Sequence, residues 1–97
     1  MYATFLLGDL HVSEQARAAL GRMPLDLIAR HAVNEHGQIT PREAKRNEQS
    51  MNDAGEIISR YLIDPTNPSL GHVVVITDAS WGQTNVILES ELCPHSS

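Results

Sequence analysis

Basic residues disappear from this chain after position 60. The seven cations, Arg17, Arg22, Arg30, Arg42, Lys45, Arg46 and Arg60, all lie at or before that point, and only Asp64, Asp78, Glu89 and Glu91 carry charge beyond it. A formal charge of −5 excludes the basic field that a phosphate-backbone binder needs, so direct nucleic-acid binding is not expected. Cysteine is nearly as scarce. Cys93 is alone, which rules out an intramolecular disulfide and makes a reducing compartment the expectation. No apolar run approaches membrane-spanning length, and no charged segment followed by an apolar one opens the chain. The expectation is a cytoplasmic protein that does not touch the membrane. Aromatics are limited to Tyr2, Phe5, Tyr61 and Trp81, so the core has to be built from Leu, Ile, Val and Ala.

The chemical signatures of an active site are missing as well. The spacings CxxC, HxxxH and HExxH do not occur. His31 and His36 are five positions apart and would point in different directions on a continuous helix. Cys93 and His95 fall in a polar tail, so no metal and no cofactor is expected. Ser59, Ser80 and Cys93 have no recognisable elbow or activating neighbour. The glycines are scattered rather than gathered into a phosphate loop. No catalytic residue is assigned, and the protein is read as a non-enzyme.

What is present is a chain of 97 residues, 41% hydrophobic, which suits one domain spanning 1–97. Residues 1–12 read as an extended arm broken at Gly8. Ser13 is a candidate N-cap for a helix over 14–23. Pro24 suits the first position of a second helix over 24–33, whose Leu25, Ile28, Ala29 and Ala32 make one apolar stripe. In ITPREAKRNEQSMNDAG (39–55), Thr40 and Glu43 form a capping box, Pro41 takes the first helical position and Gly55 the left-handed C′ position. That third helix has only Ala44, Met51 and Ala54 for an apolar seam. Three strand signals follow: EIISRYLI (56–63), HVVVIT (72–77) and TNVIL (84–88). Their short connections imply antiparallel pairing. The expected fold is α+β: a helical hairpin plus a third helix (13–55) covering one face of a three-stranded antiparallel meander (56–88), with a flexible tail over 89–97. An exposed sheet edge admits a homodimer.

Two surfaces stand out. Arg42, Lys45 and Arg46 form the basic cluster of helix three, interleaved with Glu43 and Glu48, which reads first as a solvated face with local ion pairs. Trp81 sits in the DASWGQ loop, either folded back on the sheet edge or displayed as an interface anchor. With Asp64, Asp78, Glu89 and Glu91 it makes the candidate partner-binding set.

The order and spacing of Leu7-Gly8, Ala29-Arg30-His31, Asn47, Ser59, Tyr61, Ile76-Thr77-Asp78, Thr84 and Val86-Ile87-Leu88 carry a resemblance. Over residues 5–91 the chain resembles a family of short proteins of proteobacterial plasmids, integrative elements and phages. This chain has Glu35-His36-Gly37 where the family usually has Asp-Trp-Gly. The resemblance implies a mobile-element origin and no catalytic residue. Small acidic proteins of such elements often bind host proteins. The leading expectation is therefore an inhibitor of a host CRISPR–Cas effector, of the multisubunit type I class, whose acidic meander occupies a basic channel. The alternative is an accessory or regulatory protein of the element that uses helix three.

Overall fold

The computed structural model describes residues 7–92. The element order is β1 (Asp9–Val12), α1 (Glu14–Leu20), α2 (Leu25–Ala32), α3 (Pro41–Asp53), β2 (Ile57–Leu62), β3 (His72–Thr77), β4 (Gln83–Leu88) and α4 (Glu89–Leu92). The α+β class holds, and β2, β3 and β4 do form an antiparallel meander. The sheet is nonetheless four-stranded and mixed, in the order β1-β4-β3-β2. Part of the expected arm is strand β1, which pairs parallel with β4. The tail also departs from expectation: Glu89–Leu92 is a helical turn, whereas 93–97, including Cys93 and His95, lie outside the described residues. So does the part of the arm before residue 7.

Local signals set the first helices. The Ser13 hydroxyl accepts from the Ala16 amide at 3.1 Å, and left-handed Gly21 ends α1. The helix therefore stops three residues before the expected Met23. Pro24 precedes α2 rather than opening it, with φ −84° and ψ 53°. Both helices pack on one sheet face. Ile57, Ser59 and Tyr61 of β2 stand beside Thr77, Val75 and Val73 of β3, and these beside Thr84, Val86 and Leu88 of β4. Ala16, Leu27 and Ile28 close over Tyr61, Val73, Val75 and Val86 to make the aliphatic core.

Helix α3 answers to a different logic. Its capping box is formed, with Thr40 N–H to Glu43 Oε1 at 3.0 Å and Glu43 N–H to Thr40 Oγ1 at 3.1 Å. The left-handed residue at its end is Ala54 (φ 55°), not Gly55. The expected Ala44–Met51–Ala54 seam is not the buried one. Asn47 and Ser50 are, and both are polar. Asn47 receives the Ile58 amide on Oδ1 (2.9 Å) and donates Nδ2 to the Ile58 carbonyl (2.7 Å). Ser50 donates to the Glu56 carbonyl at 2.7 Å. Segment 36–38 continues the seal, with Arg60 N–H to His36 O (2.9 Å) and Gln38 N–H to Arg60 O (2.7 Å). Thus α3 lies along the outer edge of β2 and satisfies backbone groups that a further strand would otherwise take.

Candidate functional site

The predicted partner-binding residues divide between the two ends of the sheet. Asp64, Glu89 and Glu91 lie where Leu62 pairs with His72 and Val73 with Leu88; Asp78 and Trp81 lie beyond the opposite end of β3. At the first end the carboxylates are engaged. Arg60 forks between Glu43 of α3 and Glu89 of α4, and His72 Nδ1 stands 3.3 Å from Glu89. Burial pushes the Glu43 carboxyl up, but the Arg60 guanidinium and the Thr40 amide outweigh it and hold the group below its ordinary value. Glu91 Oε1 accepts from the Leu88 amide and from the Ser13 hydroxyl, each at 2.8 Å. Asp64 caps its own loop through Thr66, whose hydroxyl and amide hold its carboxyl low.

The other end is assembled differently. The Ala79–Trp81 turn places Ser80 and Trp81 at positive φ (72° and 55°). Two bonds fix it against the end of α3: Ser80 N–H to Ala54 O at 2.7 Å and the Trp81 indole N–H to Gly55 O at 3.0 Å. Trp81 is consequently folded back and half-buried. The Ala54–Gly55 segment is flanked by Asp53 and Glu56, both exposed. From the other side the Asp9 amide reaches the Gly82 carbonyl at 3.1 Å. Asp9, Asp53, Glu56 and Asp78 thereby fall at the same end of the sheet, and segments 7–12, 53–57 and 77–83 contain no Lys or Arg. The sequence supplied Asp78 and Trp81; their companions come from elements distant in the chain.

His31 is fully buried, with 0% of its surface exposed. Helix α2 is not continuous to His36. It ends at Ala32, and Asn34 (φ 64°) turns the chain back, so the two imidazoles lie 5.8 Å apart. Between them Ser59 Oγ stands 2.5 Å from His31 Nδ1 and 2.7 Å from His36 Nδ1. His31 Nε2 meets Thr77 Oγ1 at 2.9 Å, and Thr77 Oγ1 meets Thr84 Oγ1 at 2.7 Å.

The proton positions follow from the far end of this chain. The Leu7 carbonyl only accepts, so Thr84 donates to it at 2.7 Å. Thr84 then accepts from Thr77, and Thr77 accepts from His31 Nε2. His31 carries its proton on Nε2, its Nδ1 accepts from Ser59, and Ser59 accepts from His36 Nδ1. On the outer side of the ring, His36 Nε2 stands 3.1 Å from Asn34 Oδ1. Desolvation, and secondarily His36, lower the His31 pKa to about 3. Burial lowers that of His36 too.

A serine donating to a histidine is the geometry of an activated nucleophile. Here Ser59, His31, Thr77 and Thr84 are each 0% exposed, so no substrate atom reaches the Ser59 oxygen. The relay instead ties α2 and the 34–36 turn to three sheet positions. Beside its outer end a shallow cavity of about 220 Å³ is lined by Asn34, His36, Ala44, Asn47, Glu48 and Met51. Among the described residues no group of three or more His, Cys, Asp or Glu is placed to hold a metal ion. No helix among them is long and apolar enough to cross a membrane.

Compared with protein-family models, curated proteins and solved structures, the chain finds no match.

Proposed function

We propose that this protein is a non-enzymatic binding module of a mobile element that docks on a basic surface of a host nucleoprotein, the leading target being a type I CRISPR–Cas effector. The observation that carries this reading is the end of the sheet at Trp81. There a half-buried indole is anchored to Gly55, at the end of the sheet that also carries Asp9, Asp53, Glu56 and Asp78, without a Lys or Arg in the same segments. A fixed aromatic within an acidic surround suits a positively charged groove meant for nucleic acid. Asp78 and Trp81 remain contact residues in this reading. Glu89 and Glu91 serve the fold, and Asp64 caps its own loop. The sealing of the Ser59–His31 pair supports the non-enzymatic part, and the resemblance to mobile-element proteins supports the choice of target.

The test uses purified type I effector complex and titrates the immobilised protein with it. Binding that weakens about tenfold or more in Asp78→Lys or Trp81→Ala, with thermal stability retained in Asp78→Lys, is the expected result. No binding at micromolar effector concentration sinks the reading.

One observation favours a second reading. Glu43 is turned into the Arg60 fork, so the exposed Arg42, Lys45 and Arg46 face of α3 loses its nearest interleaved acid. An accessory protein of the element would use that face against an acidic partner. Arg42→Glu with Arg46→Glu would then abolish binding to the partner while Asp78→Lys would not.

A further inference from the structure

The two edges of the sheet are treated in opposite ways. The outer edge of β2 is closed by the Asn47 side chain, by Ser50 and by the backbone of 36–38. At the other edge, β1 has no neighbour beyond it among the described residues. Asp9, Leu10 and His11 are exposed, and Leu10 keeps 47% of its surface in solvent.

The hydrogen-bond phase of β1 shows what that edge offers. The amides of Asp9 and Ser13 point to β4, reaching Gly82 O at 3.1 Å and Val86 O at 2.9 Å. Backbone groups alternate along a strand, so those of Leu10 and Val12 point the other way, off the sheet. In an antiparallel pair the residues that exchange both bonds are those whose groups point at the partner. Val12 packs against the core and Leu10 does not, so Leu10 is placed on the two-fold axis and pairs with Leu10 of a second copy. Its flanking residues then fall into register by symmetry, with Asp9 opposite His11 of the second copy and His11 opposite Asp9. These are non-hydrogen-bonded positions, where side chains come closest, with Cα atoms about 4.5 Å apart. Asp9 and His11 share the sheet face away from α1 and α2, because Leu10 and Val12 are in register with Thr84 and Val86 on the helical side. One apolar pair on the axis, with an acid–imidazole pair on either side, is self-complementary.

We propose that β1 is a homodimer edge: two copies join antiparallel about Leu10 into one continuous eight-stranded sheet. The matched stretch is short. Gly8, at φ 65°, turns the chain at its start and passes so close to Gly82 that a Cβ there would stand 2.2 Å from the Gly82 carbonyl oxygen. The interface is thus at the small end of specific contacts, and association is concentration-dependent.

Sedimentation equilibrium on the full chain, between about 10 µM and 1 mM, reads the mass. A monomer–dimer equilibrium is expected. Leu10→Pro removes an amide that makes no bond to β4, so it abolishes dimerisation while the circular dichroism and thermal unfolding of the monomer persist. Asp9→Lys sets a cation against His11 and weakens association by about tenfold. The register is read by mixing Asp9→Cys and His11→Cys proteins, each with Cys93→Ser. They cross-link to each other in preference to either forming a disulfide with itself. A monomer throughout that range overturns the proposal, as does a dimer indifferent to Leu10→Pro or one whose cross-links show another register. A strand of a different protein on this edge, with the chain itself monomeric, overturns it too.

Discussion

At the scale of single residues, the buried polar groups decide more than the apolar ones. Ser59, Thr77 and Thr84 occupy sheet positions facing the helices, where the neighbouring positions are Val73, Val75 and Val86. They are tolerated there because each has hydrogen-bond partners along one chain that starts at the Leu7 carbonyl. The direction of that chain makes a definite prediction. In 15N-resolved spectra His31 should be the Nε2-protonated tautomer, and it should stay neutral until the pH approaches about 3; the Nδ1-protonated tautomer would refute the proton assignment, and a titration between pH 5 and 7 would refute the buried neutral state. Gly37 is a second residue-scale constraint. It sits at φ 69°, and a Cβ there would stand 2.2 Å from the Arg60 carbonyl oxygen and 2.7 Å from the Tyr61 ring. Gly37→Ala should cost about 2–4 kcal/mol, lowering the unfolding midpoint by at least about 10 °C.

At the scale of elements, α3 shows how a helix with little apolar surface holds its place. Capping contributes about 1 kcal/mol, and the rest comes from bonds to the edge of β2. Asn47 is the centre of that contact, since it satisfies both backbone groups of Ile58. Asn47→Ala should destabilise the domain by about 2–3 kcal/mol by leaving both groups without a partner. It should also speed amide exchange at Ile58, while the amides of β3 keep their protection. Equal effects at Ile58 and in β3 would mean that α3 is not a separate seal. The helical punctuation was legible from sequence, Ser13 and the Thr40–Glu43 box especially, because a cap is made by residues three apart. The role of Asn47 was not legible. A polar residue on a helix reads as solvent-facing unless the backbone it meets is already known.

At the scale of the whole molecule, charge is laid out by the fold rather than by position in the chain. The acidic C-terminal third does not form one face. At one end Arg60 pairs with Glu43 and Glu89 and joins α3 and α4 to the sheet, while the Trp81 end collects Asp9, Asp53 and Glu56 from elsewhere. Acid stability is a whole-molecule property with a clear sign. Unfolding frees His31 to titrate near its ordinary 6.5, against about 3 when folded. Between those values the unfolded chain binds the extra proton, so stability falls as the pH is lowered through the window. His36 acts in the same direction, its pKa also being lowered. Glu43, lowered from an ordinary 4.5, adds its own loss only below that value. Urea unfolding should therefore show declining stability already between pH 6.5 and 4.5, before the Glu43 carboxylate protonates; a flat profile there would contradict the buried neutral relay.

By itself the sequence determined the α+β class, the order of α1 to α3, the antiparallel β2–β3–β4 meander and the capping of α3. All of these rest on contacts between residues close in the chain or on local periodicity. Tertiary structure alone decided three things. It joined β1 to β4 across more than seventy residues, returned His36 to His31 through a left-handed Asn34, and brought four acidic residues to the Trp81 end of the sheet. Each depends on a long-range backbone bond or a reversal of chain direction. The sign of φ at one residue, or the partner of one amide, leaves no trace in hydrophobic pattern or composition, and only the packed chain fixes it.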